Sequence, residues 1–137
     1  MQNSLRLDPI EFGAAALRMR TYRHEILSGN ITNADTPNYK ALDFDFANAL
    51  QREMQGLTKS SATLMRTHER HFPGHLGASQ PELMFRVPVQ PAVDGNTVDP
   101  DLERSQFVKN AMMTEATISL LSGSIKTRLS AITGQAS

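Results

Sequence analysis

The sequence predicts a mainly α protein. Long N- and C-terminal helices should pack as an antiparallel coiled-coil-like pair, with a short third helix and an irregular middle segment holding short β structure. Three observations predict this. Narrow stripes, partly polar in the first helix and mainly apolar in the last, recur at alternating three- and four-residue or heptad intervals at both ends, the spacing that keeps one face of a helix against a partner. Between residues 59 and 98, Pro73, Gly74, Gly77, Pro81, Pro88, Pro91 and Gly95 punctuate the chain and no helical period survives. The C-terminal stripe is also too long for a lone globule: a helix from Pro100 to Thr133 would extend roughly 50 Å at ~1.5 Å per residue. Such a rod needs the first helix, and then other chains, to cover it. The segments are 1–36 (first helix), 37–58 (elbow and short helix), 59–98 (loops and a short hairpin) and 99–137 (last helix), all within one domain.

The first helix should begin at Asp8, with Pro9 in the first helical position. Leu17, Thr21, His24, Ser28 and Ile31 form its stripe, flanked by Ile10, Ala14 and Leu27. Arg18, Arg20, Arg23 and Glu25 occupy the other side and read as a solvated or interchain salt-bridging face. His24 reads as a packed polar residue. The run Gly29-Asn30-Ile31-Thr32-Asn33-Ala34-Asp35-Thr36-Pro37-Asn38-Tyr39-Lys40 follows. Asn30 and Asn33 fall on one face of the last turn, and Pro37 pushes Thr36 out of helical geometry, so the helix should end near Ala34. Asparagine tolerates left-handed conformations and bonds nearby backbone, so this end can satisfy its own open groups. The segment reads as a rigid elbow. Asn30 and Asn33 are expected to fix how it is bonded and, as buried amides, which neighbour it accepts.

Asp43 or Asp45 can cap a second helix built on Phe46, Leu50, Met54 and Leu57, with Gly56 marking its end. Two runs beyond it look extended, Thr63–Arg66 and Leu83–Val89, and are expected to pair as a hairpin. In the last helix Asp99 caps, Pro100 takes the first position, and Asp101 and Glu103 suit the positive end of the dipole. Phe107, Ala111, Thr114, Ile118, Leu121, Ile125 and Ile132 hold heptad spacing, Arg128 and Leu129 share the imperfect step, and Gly134 supplies a stop.

Composition narrows the function. The 137 residues include no Trp, six Phe and two Tyr, and much of the apolar fraction of 39% is Ala and Met, a thin core for an independent globule. Formal charge is zero, which gives no global electrostatic case for nucleic acid or an anionic membrane. The absence of cysteine excludes disulfides and thiolate metal sites. Asp8, Pro9 and Glu11 interrupt the apolar run a signal peptide would need, and no stretch approaches the ~20 apolar residues of a membrane span.

Nothing reads as an active site. His68-Glu69-Arg70-His71 brings its second histidine one residue too early for a His-Glu-x-x-His zinc helix, and Pro73 and Gly74 break any helix before His75. Asp94-Gly95-Asn96-Thr97-Val98-Asp99 places its glycine second rather than sixth for a calcium loop, so it reads as a tight turn leading into a helix cap. No phosphate-binding glycine loop and no activated nucleophile is recognisable. No catalytic residue, cofactor, metal or small-molecule substrate is expected.

The two asparagines three apart followed by Thr-Pro-x-Tyr, here Asn30, Asn33, Thr36, Pro37 and Tyr39, resemble the N-terminal signature of the bacterial flagellar axial proteins. That family often has Gly where Asn38 stands. Tyr39–Phe46, Phe85–Pro88, Asp94–Asp99 and Leu121–Lys126 resemble its proximal-rod branch, and the resemblance spans the chain, weakest from Ser60 to Glu82. It implies a structural subunit of the basal-body rod, spanning the periplasm and exported without a cleaved signal through the flagellar type III apparatus. The implied partners are other proximal and distal rod subunits, the membrane (MS) ring protein and the rod–ring adaptor. Asn30, Asn33, Thr36, Pro37 and Tyr39 become the assembly motif, and Leu17, His24, Leu27, Ile31, Ile118, Leu121, Ile125 and Ile132 the packing seams. The residues alone leave two other readings open. One is a metal enzyme using His68, His71 and His75. The other is a small helical adaptor that binds a partner helix or membrane surface through an amphipathic face.

Overall fold

The computed structural model describes residues 8–58, 81–87 and 93–134. In chain order these form α1 (Pro9–Thr32), β1 (Leu42–Asp43), α2 (Phe46–Thr58), β2 (Met84–Phe85) and α3 (Pro100–Thr133). The predicted mainly α architecture is present, with the two long helices packed against each other. The caps are those the sequence predicts. Asp8 Oδ1 accepts from the Ile10 N–H, Asp99 Oδ1 accepts from the Asp101 and Leu102 N–H groups, and Gly134 closes α3 in the left-handed conformation at φ 69°.

The helix pair is antiparallel, because contacts ascend along α1 as they descend along α3. Arg128 bonds Asp8, and a Cβ on Gly13 would lie 3.1 Å from Leu121 Cδ1. Asn110 Nδ2 donates to the Arg20 carbonyl at 2.9 Å, the His24 and Phe107 rings stand 4.0 Å apart, and Asn30 reaches Glu103. The residues of α3 that carry this contact include Glu103, Phe107, Asn110, Leu121 and Arg128, which share one four-three spacing with Thr114, Thr117 and Ser124. That seam is mostly polar. The Thr114, Thr117 and Ser124 hydroxyls are satisfied within α3, each donating to the carbonyl four residues earlier.

Few side chains are fully enclosed. Ala15, Ala16, Met19, Leu27, Ala41, Phe44 and Met54 make the apolar core, and Asn30, Asn96, Glu103 and Asn110 are equally buried. Fully burying Leu27 contributes about 1.5–3 kcal/mol, but the alanines add little, so the core is as thin as the composition implied. α2 packs on α1 through Arg18–Glu53 at 2.9 Å and through the Arg20 guanidinium, 4.5 Å above the Phe46 ring. Tyr22 and Phe44 add an aromatic contact at 5.8 Å.

Met84 and Phe85, within the run expected to be extended, pair antiparallel with Asp43 and Leu42 of the elbow; the expected hairpin partner Thr63–Arg66 lies outside the described residues. One expectation is corrected: α2 continues through Gly56 to Thr58, since a single glycine costs a helix only about 1 kcal/mol. Of the two candidate caps for α2, Asp45 serves, accepting from the Ala47 and Asn48 N–H groups.

Candidate assembly site at the end of the first helix

Asn30 is 0% exposed and ties together three parts of the chain. Its Nδ2 donates to the Leu42 carbonyl at 2.7 Å while its Oδ1 accepts the Leu42 N–H at 3.0 Å. A side-chain amide presents one donor and one acceptor in a plane, as a peptide does, and here it reproduces the paired bonds of an antiparallel ladder. Leu42 of β1 is thus fastened to α1 by a side chain acting as a strand. The remaining Nδ2 hydrogen goes to Glu103 Oε2 at 3.1 Å, and the Tyr39 hydroxyl donates to Oδ1 at 3.4 Å.

Asn33 works on the helix end. Its backbone N–H donates to the Gly29 and Asn30 carbonyls, its Nδ2 to the Gly29 carbonyl at 2.8 Å, and its Oδ1 accepts the Thr36 hydroxyl at 3.2 Å. The elbow carbonyls beyond it converge on Asn96, only 5% exposed, whose Nδ2 lies 3.1, 2.7 and 3.0 Å from the Asn33, Ala34 and Thr36 oxygens. The turn that follows the helix is thus held by an amide from sixty residues away. Asn96 is held by its own turn, in which its N–H donates to Asp94 Oδ1 and its Oδ1 accepts the Val98 N–H. Backbone bonds from Asn38 to Asp94 and from Thr97 to Tyr39, both 3.0 Å, lay this turn along the elbow. Asn38 takes φ 61°, where glycine and then asparagine are the least strained residues. Gly95 itself takes φ 74°, where a side chain is strained, and a Cβ there would stand 2.7 Å from Asn38 Oδ1 and displace that amide.

A chain of charges runs beneath the elbow. Arg23 makes a two-pronged contact with Asp43, at 3.0 and 2.8 Å, and Arg86 donates to Asp43 Oδ2 at 2.6 Å. The other prong of Arg86 bonds Glu103, which is 0% exposed and also accepts from Asn30. Burial by itself would raise the Asp43 carboxyl. The Arg23 guanidinium, the Phe44 N–H and the Arg86 guanidinium outweigh it and hold the group below the usual carboxylate range. Four segments meet in this network: α1, β1, the residue after β2, and α3.

The motif residues Asn30, Asn33, Thr36 and Tyr39 therefore come together, while Pro37 is exposed on the outside of the bend. Asn30 is spent wholly within one chain, so it bears on a neighbour only through the shape it gives the elbow. Of the seam residues, Leu27 is buried, Leu17, His24, Ile31 and Leu121 are half-buried, and Ile118, Ile125 and Ile132 are 51%, 48% and 83% exposed. The α3 stripe read from sequence thus divides: Phe107, Thr114 and Leu121 lie on the intrachain seam, and Ala111, Ile118, Ile125 and Ile132 stand beside it. Sequence reasoning missed Arg23, Asp43, Arg86 and Glu103 as a connected set, and Asn96 as the tie across the elbow. For Glu103 a signal existed, since it is in register with Phe107, Asn110, Thr114, Thr117 and Leu121. His68, His71 and His75 lie outside the described residues, and no helix among those described is long and apolar enough to cross a membrane.

The described chain is a mainly helical protein, an elbow bonded through amides and ion pairs carrying a helix pair whose contact is polar and whose outer flank is apolar. No family model matches the chain. Flagellar basal body rod protein FlgB of Escherichia coli (strain K12) is 45% identical over 120 residues, covering 85% of this chain and 87% of that one. The FlgB proteins of Yersinia ruckeri (43% over 126 residues; 90% and 92%) and Cereibacter sphaeroides (37% over 128 residues; 93% and 96%) are similar over the same span. The chain belongs to the FlgB family of flagellar basal body rod proteins.

Proposed function

We propose that the chain is a structural subunit of the proximal rod, assembling with other rod proteins to transmit torque from the membrane ring to the distal rod and hook. One observation carries this reading. Val108, Met112, Ile118, Leu120, Leu129 and Ile132 are each more than half exposed, and together they encircle most of α3. Large apolar side chains left in water around so much of one helix call for cover, and this chain provides α3 with only α1 as a helix neighbour among the described residues. The missing interior is supplied by other subunits. The elbow fits the same role: an ion-paired joint holds the angle between α1 and β1 while load passes along the helices.

The partners on this reading are proximal and distal rod subunits, the membrane (MS) ring protein, the rod–ring adaptor, and the type III apparatus that exports the chain without a cleaved signal. Segments 1–36, 37–58, 59–98 and 99–137 act as one assembling domain, with Asn30, Asn33, Thr36, Pro37 and Tyr39 as its motif. The test is to cross-link purified basal bodies carrying a tagged chain and identify its neighbours by mass spectrometry. Adducts with ring, adaptor and rod proteins are expected. Absence of the chain from basal bodies, or normal swimming in a deletion strain, would overturn the reading.

A further inference from the structure

Two flanks of α3 lie on either side of the intrachain seam, and their chemistry is complementary. On one, Lys109 and Met113 join Arg20, Arg23 and Phe46 around a cleft of about 190 Å³. Among the described residues three cations line it and no carboxylate does. Arg23 is committed to Asp43, whereas Lys109 makes no ion pair among the described residues. Arg20 Nε is buried with no hydrogen-bond partner among them, and so is Oδ1 of Asn110, a lining residue only 3% exposed, which needs a donor. A buried guanidinium N–H without an acceptor is costly, and a carboxylate is the acceptor that also meets its charge.

The other flank carries Val108, Ala111, Glu115, Ile118 and Ile125, all exposed and again at three-four spacing. Glu115 is its one acid and makes no ion pair among the described residues. Lys109 and Glu115 are six positions apart, which at ~3.6 residues per turn places them on opposite sides of the seam. One flank thus lacks an acid, the other has an acid without a base, and both are apolar around the charge. The chain as a whole is neutral.

We propose that a second copy of this chain docks its Ala111–Ile118 flank against the cleft, with its Glu115 paired to Arg20 and Lys109. This rests on the reading of the chain as a rod subunit. The contact joins two different patches, so it propagates from copy to copy around or along an assembly and does not close as a twofold pair. The charges set the register, and Val108 and Ile118 lose their exposure against Phe46 and Met113.

The chain has no cysteine, so single ones can be introduced cleanly. Lys109→Cys and Glu115→Cys, differently tagged, are co-expressed, and intact basal bodies are treated with a short bis-maleimide. Both substitutions are at exposed positions. A mixed dimer is expected from the co-expressed pair, with none from either variant alone and none from the control pair Arg52→Cys and Glu115→Cys. Both subunits present without a mixed dimer would overturn the proposal while leaving the rod reading intact. So would a Glu115→Cys homodimer, or an adduct of Glu115→Cys with a different protein. A chain absent from the basal bodies would overturn the rod reading, and this proposal with it.

Discussion

Asn30→Ala should be among the most damaging single substitutions in the chain, and Asn30→Asp should be worse at neutral pH. The alanine variant loses two bonds to Leu42 at 2.7 and 3.0 Å and one to Glu103 at 3.1 Å; the Tyr39 contact at 3.4 Å is too long to add much. Two neutral bonds at about 1 kcal/mol each and one to a carboxylate at about 2 kcal/mol sum to about 4 kcal/mol. For a thin-core domain near the lower end of the usual range of about 5–15 kcal/mol, that leaves the fold barely populated. Aspartate keeps the shape but discards both donors and sets a second carboxylate against Glu103. Its own folded pKa is thereby raised, so its extra penalty is present above that pKa and is relieved as pH falls through it. The assay is urea unfolding of the purified subunit followed by helical circular dichroism, at neutral pH and in acid. Taking the difference between the two variants cancels acid effects common to both. Equal stability of the Asp and Asn proteins at neutral pH would refute the reasoning, as would an Asp–Ala gap that does not change with pH.

Three further outcomes follow from the same geometry. Asn96→Ala removes the amide that gathers the elbow carbonyls and should cost about 1–3 kcal/mol, with faster amide exchange at the elbow than in the middle of α1 as the specific readout. Asp43 has a lowered pKa, so its stabilisation is present above its ordinary value of 3.8 and is lost as pH falls through the folded value; the stability gap between the parent protein and Asp43→Asn should therefore narrow below about pH 4. Ile118→Asp and Ile125→Asp change positions already half exposed, so subunit stability should shift by no more than ~0.5 kcal/mol while swimming and recovery in basal bodies are lost.

The long helices were legible because their start and stop signals are local: Asp8-Pro9, Asp99-Pro100, Pro37 and Gly134 each act within one turn. The elbow was legible as a bend for the same reason. Its bonding was not. Asn30 finds Leu42 twelve residues on, Asn96 reaches back sixty, and Arg86 joins Asp43 to Glu103 across the irregular middle segment. None of these partnerships leaves a periodic trace. The pairing of Met84 and Phe85 with Leu42 and Asp43 was not legible either, because strand propensity states that a run will pair but not with what. In α3 the apolar stripe was real, but intrachain contact and apolar character do not coincide. The helix turns Glu103, Asn110, Thr117 and Ser124 inward and leaves Ile118, Ile125 and Ile132 outward.

That inversion follows from what each contact has to do. An apolar seam between α1 and α3 would be satisfied within one chain and would leave little reason to add another. A polar seam fixes register through directional bonds such as Asn110 to the Arg20 carbonyl, yet contributes little net free energy, because water satisfies the same groups when the pair opens. The apolar area lies instead on the outer flank of α3, where only a second chain can remove it from water, at roughly 25 cal/mol per Å². Stability is thereby shifted from the subunit to the assembly. On the proposed function this suits a chain that passes unfolded through an export channel and must become rigid afterwards. Of the buried apolar residues described, Leu27, Ala41 and Phe44 flank the elbow in sequence, where the angle has to be right before any neighbour arrives.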